Sequence, residues 1–192
     1  MKYFIPFILF LLFTTSCEYA TQQANNFEDP PQQELLGYEV AIEVSTDDPE
    51  DLEIFEDGVI PWISIKEPEK VWDKLEGKEE VVIKENEAIL FLDYPLSKDL
   101  KLPIKADSTA GFTRGELILI ISRNYKRIYA EEEASAEVKT IPLEKREGLI
   151  NRNQTDGKYG IWGHDIDDLD LSGIIVHPQR KGPPVLELII ES

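Results

Sequence analysis

Imidazole and carboxylate groups are the side chains that hold divalent metals, and one stretch of this chain gathers both. Tyr159-Gly-Ile-Trp-Gly-His-Asp-Ile-Asp-Asp-Leu-Asp170 carries His164, one of two histidines, together with Asp165, Asp167, Asp168 and Asp170. His164, Asp165, Asp167 and Asp168 are the candidate metal ligands. A divalent ion held there would activate water while a spare carboxylate took its proton, the chemistry of a small metal-dependent hydrolase. The spacing excludes an EF-hand, because position five of such a loop falls on Leu169 and position twelve on Val176. On a strand, Asp165 and Asp167 would share one face and Asp168 and Asp170 the other, so convergence requires a loop. The competing reading is an acidic loop whose carboxylates cap and hydrogen-bond locally, with Trp162 in the core.

Other chemistries find less footing. The chain has no G-x-S-x-G, no phosphate loop and no dinucleotide fingerprint. Ser108, Ser122 and Ser172 could pair with His164, but no spacing singles one out. With 38 acidic residues, any carboxylate pair would serve glycoside cleavage, so none is marked. The sequence therefore favours a binding or scaffold domain without catalysis and without a cofactor, a divalent metal being the exception the His164 loop leaves open.

The net charge of −18 repels nucleic acid and anionic membrane faces. It suits solubility, divalent cations or a basic protein partner. Cys17 is the only cysteine, so the chain forms no internal disulfide and its stability comes from packing.

The segments flanking Cys17 explain that residue. Lys2 is followed by an apolar run from Tyr3 to Phe13, then Thr14, Thr15 and Ser16, the plan of a secretory signal over residues 1–16. Eleven apolar residues are too few to cross a bilayer, which needs about 20. With its cysteine directly after small residues, the leader resembles those of bacterial lipoproteins. Thr14 stands where that family usually has an aliphatic residue, and plain secretion is the alternative. The resemblance implies lipid attachment at Cys17 and a membrane lipoprotein of the cell envelope. Residues 17–33, rich in Gln, Asn and Pro, read as the lipidated N-terminus and a flexible tether reaching about 55 Å when extended.

The elements that must position the acidic loop lie in residues 34–192, read as a single globular domain. Tyr38, Val40, Ile42 and Val44 alternate with polar residues, a strand with one wet face. Ile60 to Ile65 suggests a second strand beginning near Pro61, and Pro68 to Leu75 a short helix. Val81–Ile83 and Ala88–Asp93 read as a hairpin, and Leu100 to Ala106 as another strand. Thr113-Arg-Gly-Glu116 is a capping box, and apolar residues at helical spacing follow it, predicting one long helix over about 113–134. Glu137 to Ile141 reads as a short strand. Leu169–His177 and Val185–Ile190, joined by HPQRKGPP, form a hairpin. The predicted class is α+β, with a mostly antiparallel sheet packed by the long helix. GFTRGEL (Gly111 to Leu117), the helix running to IYAEEE, and YGIWGHDIDDLDLSGI (Tyr159 to Ile174) resemble the core of a family of uncharacterised small proteins. That resemblance implies that the helix and the GHDIDDL loop form one structural module, and it implies no reaction.

Overall fold

The chain turns from strand to helix at Thr113, and the cause is local. The Thr113 hydroxyl accepts a hydrogen bond from the Glu116 amide at 3.1 Å, satisfying one of the free amides of the first turn. The reciprocal half of the capping box is absent. Thr113 sits in a strand ladder opposite Val81, and the Glu116 carboxylate turns away to accept from the Asp107 amide at 2.5 Å.

The structure is a computed structural model that describes residues 36–148 and 151–192. The leader, Cys17 and the tether lie outside the described residues. In chain order the elements are β1 (Tyr38–Ala41), β2 (Val44–Ser45), α1 (Pro49–Leu52), β3 (Val59–Ile60) and β4 (Ile63–Ser64). A 3₁₀ segment (Pro68–Lys74) leads to β5 (Val81–Ile83), β6 (Glu87–Leu92), β7 (Leu100–Lys105), β8 (Phe112–Thr113) and α2 (Arg114–Ser135). Short 3₁₀ turns at Leu143–Lys145 and Ile166–Asp168 precede β9 (Asp170–His177) and β10 (Val185–Glu191).

The main sheet has the order β1-β9-β10-β6-β7, with β4 pairing the start of β9. Every ladder in it is antiparallel except β10 with β6. The fold is therefore α+β with a mostly antiparallel sheet and one long helix. The final hairpin, β9 to β10, forms as its sequence predicts.

Three local expectations change. β5 pairs with β8 and not with β6, so residues 81–93 form no hairpin. Ile60 to Ile65 is broken at Pro61 into β3 and β4, which pair with different partners. Residues 137–141 form no strand. The amides of Glu137 and Val138 donate to the Asp156 carboxylate, and that of Ile141 donates to the Asn153 side chain, where a strand would find a neighbour's carbonyls.

The core sits between α2 and one face of the sheet. Leu117, Ile118, Ile121, Tyr125 and Ile128 of α2 join Leu90, Leu92, Ile174 and Leu186 of the sheet in one buried cluster. Each such side chain contributes about 1.5–3 kcal/mol by leaving water. The outer edge, β7, carries Pro103 and exposed Lys101 and Lys105, which discourage another strand from adding there. Among the described residues, no helix is long and apolar enough to cross a membrane.

Candidate functional site

The last turns of α2 hold the segment that leads into the acidic run. Glu132 has no exposed surface. Its carboxylate accepts from the Thr155 hydroxyl at 2.6 Å and from the amides of Gly157, Tyr159 and Gly160 at 2.8, 2.7 and 3.1 Å. Burial pushes the Glu132 carboxyl up; the hydrogen bonds outweigh it and hold the group below the ordinary carboxylate range. Gly157 is required here, because a Cβ would stand 2.7–2.8 Å from Glu132 atoms. Beside it, Glu131 accepts from Lys158 Nζ at 2.7 Å and the Tyr159 hydroxyl at 2.5 Å, and these bonds lower its pKa.

The chain then passes through an aromatic corner. The Tyr129 hydroxyl donates to the His164 carbonyl at 2.9 Å. The His164 ring lies 5.6 Å from the Tyr94 ring and 6.4 Å from Trp162. Trp162, expected in the core, is 42% exposed: it packs edge-on against Tyr94 at the surface.

The four predicted ligands separate at this point. Asp165 faces two buried guanidinium groups, Arg146 Nη2 at 2.6 Å and Arg152 Nη1 at 4.0 Å. Arg152 also lies over the Tyr129 ring at 5.1 Å. Asp167 pairs with Lys66, and this bond raises the lysine pKa. Asp168 accepts from the Asp165 amide at 2.9 Å, closing the 3₁₀ turn. His164 offers its ring to aromatic neighbours. Among the described residues, no group of three His, Cys, Asp or Glu side chains is placed to hold a metal ion.

Asp170, at the start of β9, ends the run differently. Its carboxylate has no hydrogen bond or ion pair among the described residues, and burial raises its pKa. It lines a groove of 260 Å³ together with Val44, Ile60, Trp62, Ile63 and Val71. Ser64, Glu67 and Lys70 complete the rim, the last two paired at 2.5 Å. A larger hollow of 440 Å³ near Lys84 and Thr109 is lined mostly by exposed loop residues and lacks such an apolar wall. An apolar groove with one desolvated carboxylate is an arrangement suited to recognising a ligand.

Fold and site together define an acidic α+β domain with an apolar groove that ends in an unpaired carboxylate. No family model matches the chain, and no curated protein or solved structure matches it.

Proposed function

We propose that this chain is a lipoprotein of the cell envelope, anchored through lipid on Cys17, whose acidic domain binds a basic protein partner. The leader and its cysteine support the anchor, and the tether gives the domain its reach. The observation that carries the binding role is the groove beside Asp170. Its apolar wall favours an apolar stem, and its unpaired carboxylate favours a cation at the end of that stem. A lysine-like side chain of a basic partner meets both demands. In the run that contains His164, Asp165, Asp167 and Asp168 each hold a contact of the fold. For these groups to ligate a metal, Asp165 would first have to release Arg146, and Asp167 would have to release Lys66.

Amide shifts read while n-hexylamine and hexanoate are titrated in parallel test the groove. The amine is expected to move the resonances of Val44, Ile60, Trp62 and Val71, and Asp170→Asn to abolish that response. Equal shifts with hexanoate, or none with the amine, would remove the groove as the recognition site.

A further inference from the structure

The main sheet has a second face. Along β1, β9, β10, β6 and β7 the paired residues Glu39, Ile175, Glu187, Phe91 and Lys101 form one continuous row. The next row is His177, Val185, Ile89 and Pro103, and on the other side lie Ala41, Gly173 and Ile189. Side chains of alternate residues in a strand point to opposite faces, and Ile174, Val176, Leu186 and Leu90 take the core face. Ile175, Val185, Ile89, Phe91 and Ile189 therefore share the outer face. None of the five packs against the core cluster. All five are partly exposed. A Cβ on Gly173 would stand 3.0 Å from Glu39 Oε1 and 3.1 Å from Ile189 Cδ1, which places both side chains over the glycine on this face. Lys101 Nζ lies 5.7 Å from the Phe91 ring centroid. A solvated face of an antiparallel sheet is ordinarily polar, and this one is apolar at its centre.

We propose that this face docks a second copy of the same chain. Charge selects that occupant. The molecule is strongly acidic, so two copies repel over most of their surfaces. The paired rows of this face mix the signs, with Glu39, Glu87 and Glu187 beside Lys101 and Lys105. Their order is also self-complementary. The row runs from Glu39 at the β1 edge to Lys101 at the β7 edge, with Ile175 and Phe91 between. A two-fold axis along the strand direction at β10 lays each Lys101 over Glu39 of the other copy and each Ile175 over Phe91 of the other copy, as an isologous interface demands. Glu187 falls on the axis, where His177 Nε2 at 2.8 Å already engages it. With five strands about 4.8 Å apart and about six residues long at about 3.3 Å per residue, the face covers about 480 Å² per copy, about 1,000 Å² for the pair. That lies below about 1,200 Å², where stable specific interfaces begin, in the range of a weak, concentration-dependent dimer.

Sedimentation equilibrium of the full chain in density-matched detergent, across micromolar concentrations, tests the dimer. A concentration-dependent monomer–dimer equilibrium is expected. Phe91→Glu should leave a monomer with an unchanged circular dichroism spectrum. Lys101→Glu and Glu39→Lys should each weaken association about tenfold or more, and the double exchange should restore it. A wild-type monomer throughout would overturn the proposal. So would a dimer indifferent to Phe91→Glu, or a double exchange as weak as the single ones, since either places the contact elsewhere.

Discussion

The buried carboxylate of Glu132 and the amide of Tyr159 lie 2.7 Å apart, and this bond is one of four that pin residues 155–160 to the end of α2. Glu132→Gln keeps the volume but replaces one acceptor oxygen with a donor that faces amide donors. A loss of about 2–4 kcal/mol is expected, from charged hydrogen bonds broken and backbone donors left unpaired. The pH dependence has a definite sign. The folded pKa lies below the ordinary 4.5, so the carboxylate contributes stability above that value and loses it as pH falls through the lowered folded pKa. Urea melts over acid to neutral pH should show this slope in the parent and a smaller one in the variant. Equal slopes would show that Glu132 does not carry the acid sensitivity.

The long helix and the final hairpin were legible because each is specified locally: Thr113 caps, the apolar spacing is helical, and β9 and β10 are adjacent in sequence. The pairing of β10 with β6 and of β5 with β8 was not, since nothing in Val81–Ile83 distinguishes its distant partner from its near one. Within the site, the acidic run was visible as composition, and its division of labour was not. Arg146 and Arg152 lie 13 or more positions from Asp165, and no periodicity links them to it. Glu132 stands inside the run Glu131 to Glu133, where only the fold shows which of the three is buried. Asp170 is indistinguishable from its acidic neighbours in the sequence because the apolar wall beside it comes from residues 44–71, remote in sequence.

Asp165 and Asp167, two residues apart, should respond differently to loss of charge. Removing the Asp165 carboxylate takes a counter-charge from two guanidinium groups whose side chains are only 3% and 4% exposed, although Arg146 keeps its bond to the Ile141 carbonyl and Arg152 its bond to Thr140. Asp165→Asn should therefore cost about 3 kcal/mol, less than a fully buried pair because Asp165 itself is 24% exposed. Lys66 and Asp167 are 38% and 59% exposed, and water compensates their separation, so Asp167→Asn should melt with the parent. Thermal melts of both variants, with and without Zn²⁺, Ca²⁺ or Mn²⁺, check this. A metal-dependent rise in the parent that both variants lose would instead assign these carboxylates to a metal.

Cys17→Ala should move the protein from the membrane fraction to the soluble one. A single acyl chain binds only weakly, whereas a lipoprotein cysteine carrying more than one holds firmly. Fractionation with a carbonate wash reads the outcome directly. Retention of the variant in the membrane pellet would transfer the anchoring role away from Cys17.

Asp170→Asn should stabilise the domain while removing its response to amines, and the two effects share one cause. Burial raises the folded pKa of Asp170 above its ordinary 3.8, so the ionised form is disfavoured in the folded state. That cost is fully present above the raised pKa and fades as pH falls through it toward the unfolded value. At neutral pH the variant should therefore exceed the parent in stability. The difference should shrink in acid. Val71 and Trp62 line the same groove and carry no charge, so Trp62→Phe should leave this pH dependence in place. Urea midpoints of parent, Asp170→Asn and Trp62→Phe at neutral and acid pH measure all three expectations. An Asn variant less stable than the parent at neutral pH would mean that the carboxylate has a stabilising partner, and the groove would lose the unpaired charge on which recognition of a cation depends.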